Sequence, residues 1–199
     1  MKLEIRLYGD PILRTKGTKV AEVDQKIRQL ADDMIETMHA ANGVGLAAQQ
    51  IGEALQLTVI DVSQAEDRPS SLKIDGREVE LENAMPMILL NPQAELGREL
   101  VSGTEGCLSF PEISAEIDRP ESVRVSAQTL DGADIAIEAT GLLARALQHE
   151  IDHLNGVLFI DRMSSGVRAG LSGRLKRLQK EAEAHRARVG RAPAGERVL

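Results

Sequence analysis

The stretch TGLLARALQHEIDHLNG, residues 140 to 156, decides how this chain is read. Leu142, Leu143, Ala146, Leu147, Ile151 and Leu154 cover one broad face of a helix, with Thr140 placed to cap its start and Gly156 to end it. Within it, His149-Glu150-Ile151-Asp152-His153 is an H-E-x-x-H pattern. Residues at i and i+4 lie one above the other, so both imidazoles can reach one metal ion with Glu150 beside them. Leu142, Ala146, His149 and His153 form a continuous stripe, so the face that buries itself at the helix start presents two histidines at its end. Buried imidazoles need partners, which argues against two surface histidines on a charged helix.

Two histidines do not hold a catalytic metal, which takes three protein ligands and keeps a position open for water. An extended zinc-protease pattern would place the third ligand at position 159, but Phe159 stands there, and no glutamate occurs between Glu150 and Glu181. Cys107 is the favoured candidate. It lies in Glu105-Gly106-Cys107-Leu108-Ser109, where glycine permits close backbone approach and a metal would hold the sulfur as thiolate. A lone cysteine is more often a small buried hydrophobe; the incomplete metal site beside it changes that balance.

Outward from this helix, Ile27, Leu30, Ala31, Met34 and Met38 predict a helix over residues 24 to 41, stopped by Asn42 and Gly43. The β-branched run from Leu55 to Val62 predicts a strand, and residues 64 to 71 a loop. Asp75-Gly76 marks a hairpin between residues 73 and 81, and Met87 to Leu90 a further strand. Val123, Val125 and Ala127, then Ile135 and Ile137, alternate on either side of Asp131-Gly132 as an antiparallel pair. Residues 164 to 173 are small and polar, and a charged helical tail follows to Ala187. The expected class is α+β, antiparallel strands around a metal-binding helix with a helix at the C-terminus, divided into a catalytic unit over 1–163 and a tail over 164–199.

The composition sets bounds on function. A chain of 199 residues suits one catalytic domain, and its 42% hydrophobic and 28% charged residues are those of a soluble globular protein. Residues 1 to 14 lack the continuous apolar stretch of a signal peptide, so a cytoplasmic protein without membrane association is expected. The single cysteine excludes an intramolecular disulfide. A net charge of −7 weighs against broad or specific DNA binding. Gly43-Val44-Gly45-Leu46-Ala47-Ala48 fits the G-x-G-x-x-A of dinucleotide-binding folds, with Asp61 near the spacing of the ribose-binding acid. That fingerprint needs a strand before its first glycine, whereas a helical stripe precedes it here, so a nicotinamide-dependent oxidoreductase is disfavoured.

Three segments together, Gly43 to Gln50 (GVGLAAQQ), Glu105 to Ser109 (EGCLS) and Gln148 to His153 (QHEIDH), resemble the signature motifs of peptide deformylases in the family's order. Residues 8 to 14 and Gly141 to Arg145 extend the resemblance to about residues 5 to 163, while the stretch 64–86 is longer than in compact members and leaves open whether it touches substrate. The resemblance implies a deformylase-type fold, with Cys107, His149 and His153 as ligands of Fe(II) and Glu150 as general acid/base. Zn(II), Ni(II) or Co(II) suit the same donor set. It also implies that the Gln50 amide and the Leu108 N–H donate to the formyl oxygen, that the Gly45 carbonyl positions the substrate, and that Val44 and Leu142 line a methionine pocket. The expected substrate is a nascent polypeptide beginning with formyl-methionine; internal peptide-bond hydrolysis by a metalloprotease is the nearby alternative.

The tail carries Arg168, Arg174, Lys176, Arg177, Lys180, Arg186, Arg188 and Arg191 on an otherwise acidic protein. Leu171, Leu175 and Leu178 at i, i+4 and i+7 give it a docking side. The basic side is either a solvated face or an element that meets the ribosome through its RNA.

Overall fold

A computed structural model gives the fold and describes residues 1–65 and 67–189. In chain order the elements are α1 (Gln25–Ala40), β1 (Gly45–Ala47), β2 (Leu57–Ile60), β3 (Ser70–Ile74), β4 (Arg77–Glu78), the single turn α2 (Leu81–Ala84), β5 (Met87–Leu96), β6 (Leu100–Gly106), β7 (Ser114–Pro120), β8 (Ser122–Gln128), β9 (Asp134–Thr140), α3 (Gly141–Leu154), α4 (Ser165–Gly170) and α5 (Ser172–Val189). Seven strands form one antiparallel sheet in the order β1-β2-β5-β8-β9-β3-β4, and β6 and β7 form a separate two-stranded ribbon.

Local chemistry sets several of these boundaries. Asp24 accepts from the Ile27 N–H at 2.9 Å and starts α1; after it, Asn42 takes a left-handed φ of 54° and turns the chain toward β1. Asp75 and Gly76, at φ 49° and 77°, supply the left-handed pair that a tight hairpin requires. Several expectations change, among them the two that follow. The loop ends at Pro69 rather than Ser71, because Ser71 pairs with Thr140 at the sheet. β5 runs on to Leu96 through a break in register between Leu90 and Gln93, where Asn91 adopts φ 52°.

α3 is buried almost all round, with only Gly141 and Asp152 partly open, and not merely on the apolar face. Leu143 and Leu147 share one core cluster with Val125, Ile137 and Leu89 of the sheet. The opposite side meets the ribbon, whose backbone satisfies the helix's polar residues: Arg145 donates to the carbonyls of Val101 and Ile117, at 2.7 and 2.8 Å, and Gln148 to that of Pro120 at 2.8 Å. Thr140 precedes α3 as expected, but its side chain makes no cap; it shares a hydrogen bond with Ser71, and Ser70 Oγ accepts from the Leu143 N–H at 2.9 Å instead. Gly156 ends the segment at φ 73°, where a side chain would strike the Arg14 carbonyl.

Beyond Met163, Ser164 caps α4, so the small polar stretch is partly helical. Leu175, Leu178 and Ala182 of α5 are buried. Leu175 and Leu178 join the cluster of Leu13, Phe110, Ile117 and Phe159. Arg191, with the rest of 190–199, lies outside the described residues. Among the described residues no helix is long and apolar enough to cross a membrane.

Candidate metal centre

Cys107 follows the last residue of β6 and is held in a turn by the Phe110 N–H, which donates to its carbonyl at 2.8 Å. Its Sγ lies 3.2 Å from His153 Nε2, and the ligand atoms of Cys107, His149 and His153 all fall within 4.8 Å of one another. These are the three ligands expected from the sequence, drawn together across more than forty residues. His149 Nδ1 lies 3.1 Å from Glu105 Oε2; a proton on that nitrogen would satisfy the carboxylate and leave Nε2 for an ion. Glu105 is buried and is itself gripped by Arg119, at 2.6 and 3.0 Å, and by Arg145 at 2.8 Å. Burial works against the Glu105 anion, but hydrogen bonds from His149 and Arg119 prevail and bring its pKa down to about 2.

Burial opposes a charge on His149, yet the hydrogen bonds of Cys107 and Glu105 hold its pKa well above the ordinary range. Burial and the neighbouring His149 push His153 well below it. Burial, aided by Glu105 and Asp152 against His149 and Arg119, lifts Glu150 to about 7. Glu150 Oε2 and His153 Nδ1 are buried without a hydrogen-bond partner among the described residues. Two nitrogens, a sulfur and unsatisfied polar atoms around one point fit a divalent ion of borderline softness.

A cleft of about 600 Å³ opens over this group. Every site residue expected from the sequence lines it except His153, which lies beneath at 1% exposure. Gln50 is buried and aimed: its Oε1 accepts from the Ala47 N–H at 2.8 Å, so its NH₂ faces Cys107 Sγ at 3.5 Å and Ser109 Oγ at 3.2 Å. Gly45 packs directly on the Glu150 carboxyl, and a Cβ there would overlap Oε1. Leu142 forms an apolar wall, and Val44 stands at the rim, 39% exposed. Leu108 follows Cys107 in the same turn, its side chain against Gly43. The Gly43 to Ala48 segment has a helix before it and no strand, so the dinucleotide fingerprint fails in context. A second cleft of about 450 Å³, around Lys16, Asn155 and Arg162 behind α3, contains none of the expected site residues.

The family model described as polypeptide deformylase matches residues 2–169. This chain belongs to the polypeptide deformylase family. It is 46% identical over 182 residues to the peptide deformylase of Opitutus terrae, covering 90% of this chain and 94% of that one. Its fold is similar to the crystal structure of Arabidopsis thaliana peptide deformylase 1B in complex with an inhibitor, with a TM-score of 0.79, 36% identity and 98% of each chain covered. The Ehrlichia chaffeensis peptide deformylase bound to actinonin matches with a TM-score of 0.76 and 37% identity, over 88% of this chain and 96% of that one.

Sequence reasoning missed the residues that support the deformylase site. Glu105 stands in the same EGCLS segment as Cys107, two positions before it, and that nearness to a candidate ligand was its available signal. Arg119 comes from β7, which the sequence reading did not predict, and it also donates to Asp152 Oδ2 at 2.8 Å. Asp152, inside the H-E-x-x-H run, is held in turn by Arg162.

Proposed function

We propose that this deformylase-family hydrolase removes the formyl group from the N-terminus of newly made polypeptides that begin with formyl-methionine. The grouping of Cys107, His149 and His153 beneath a cleft walled by Glu150, Gln50 and Leu142 carries this reading. Cys107, His149 and His153 would hold the metal, with Fe(II) expected from the family resemblance and Zn(II), Ni(II) or Co(II) able to substitute. Such an ion, when bound, lowers the pKa of water toward about 7 and polarises a carbonyl oxygen.

The chain's own residues do the rest. Glu150, without a partner at Oε2 among the described residues and lining the cleft, takes the proton of the attacking water and passes it to the departing amine. Gln50 offers its N–H₂, fixed by the Ala47 N–H on its other end, to the formyl oxygen as charge gathers there, and the Leu108 N–H is the second donor. The Gly45 carbonyl positions the substrate backbone, while Val44 and Leu142 enclose the methionine side chain.

Residues 1–163 form the catalytic unit in this reading, a cytoplasmic enzyme, and the tail meets the ribosome. The apolar side of α5 is turned to the body, and Lys176, Lys180 and Arg188 are exposed on it. Charge reversal at these three, which spares Leu175 and Leu178, should weaken low-salt ribosome co-sedimentation. Unaltered co-sedimentation would remove the ribosome from the account. For the reaction itself, metal-loaded protein should release formate from a short formyl-methionyl peptide and leave internal bonds intact. Internal cleavage without formate would favour a protease, and a nicotinamide-dependent absorbance change an oxidoreductase.

A further inference from the structure

Arg68, in the loop before β3, lines the catalytic cleft. Its position is built into the frame that carries the apolar pocket. The Arg68 N–H donates to the Ala65 carbonyl at 3.1 Å, the Pro69 carbonyl accepts from the Leu142 N–H at 3.4 Å, and Ser70 caps α3 through Leu143. Gly141 approaches Pro69 so closely that a Cβ would overlap its carbonyl oxygen. The residue thus stands next to Leu142, on the same wall of the cleft.

Charge makes this position selective. Glu105, Arg145, His149 and Glu150 also line the cleft, but all are buried, and Glu105 pairs with both Arg145 and His149. Among the described lining residues, the exposed charges are Arg68 and, on the loop between β6 and β7, Glu112. The cleft runs beside Gly43 to Gly45, and β1 is the end strand of its sheet. A chain lying along such an edge is extended, and its successive side chains point to opposite sides. With the first side chain against Leu142, the third returns to the same wall, about 6.8 Å further on. The second points away from it.

Building on the deformylase reading above, we infer that Arg68 makes the protein favour formylated chains with an acidic side chain at the third residue. An exposed ion pair of this kind yields a preference of about two- to fivefold, and it shrinks as salt rises from about 0.05 to about 0.5 M.

The test uses the metal-loaded full chain and formyl-Met-Ala-X-Ala peptides with X as Asp, Gln or Lys. Formate release gives kcat/KM ratios, and competition by the deformylated products gives affinity ratios that need no turnover. The Asp/Lys ratio should exceed one, persist in Arg68→Lys, fall to about one in Arg68→Gln and invert in Arg68→Glu. Moving the acidic residue to the second position should make the ratio insensitive to these substitutions. An unchanged third-position ratio in Arg68→Glu, or an equal change at the second position, would overturn the role of Arg68. No formate from any peptide would overturn the deformylase reading, and the affinity ratios would still decide the role of Arg68.

Discussion

α3 brings His149, Glu150 and His153 to the metal centre from one stretch of five residues, whereas Cys107, Gln50 and Gly45 reach it from separate turns and strands. The helical half has its spacing fixed by the period of the helix and needs only burial to become a site. The other half is assembled by tertiary contacts: Gln50 is aimed by the Ala47 N–H and Ser109, and Cys107 is delivered by a ribbon that Arg119 and Arg145 clamp through Glu105. In the proposed reaction the first half supplies two of the three metal ligands and the proton carrier, and the second supplies the third ligand and the groups that place the substrate. Changes in the two halves should therefore fail differently.

The largest effect falls on the helical half. Glu150→Gln keeps the ligand set but removes the proton carrier, so formate release should drop by about 10² to 10⁴-fold with metal content unchanged. Loss of metal in that variant would show that Glu150 supports the ligands as well. Across the divide, Gly45→Ala pushes on the Glu150 carboxyl, the movable end of a side chain, so the fold should survive while kcat falls by about 10²-fold. A normal kcat would mean that the position of the carboxyl is not set by β1. Glu105→Gln weakens the hold on His149 Nδ1, and titration with a chelator should show metal affinity lower by about 10- to 100-fold.

The smallest effect lies away from both halves. Burial raises the pKa of Asp161, but hydrogen bonds from Arg14 and the Leu158 N–H outweigh it and hold the carboxyl below its ordinary range. A depressed carboxylate contributes stability that is present above the unfolded-state pKa of about 3.9 and is lost as pH falls through the lower folded value. Arg14→Gln should cost less than about 1 kcal/mol near neutral pH, since both partners are partly exposed, and the cost should vanish in strong acid. Denaturant unfolding across pH checks this, and a difference that grows on acidification would contradict it.

The sequence made the two halves unequally legible. His149, Glu150 and His153 are a local pattern, and α1, β8 and β9 follow from periodicity alone. Cys107 came within reach by elimination and through the resemblance of its EGCLS segment to a family motif, because a cysteine by itself is not marked as a ligand. β6 and β7 were missed because LVSGTEG and SAEIDRP mix Gly, Ser and charged residues with few β-branched ones. Their stability comes from pairing with each other and covering α3. Ser70 as the cap of α3 was unreadable for a related reason, since it lies 73 positions from Leu143, the residue that it serves.

Metal content of purified Cys107→Ala beside the parent chain tests whether the two halves share one ion. With equal loading, the parent should hold one divalent ion per chain and release formate from a formyl-methionyl peptide. Cys107→Ala should lose both while keeping its fold by circular dichroism. If Cys107→Ala keeps a stoichiometric ion and near-normal turnover, the third ligand lies elsewhere and the helical half does not depend on the ribbon for its metal.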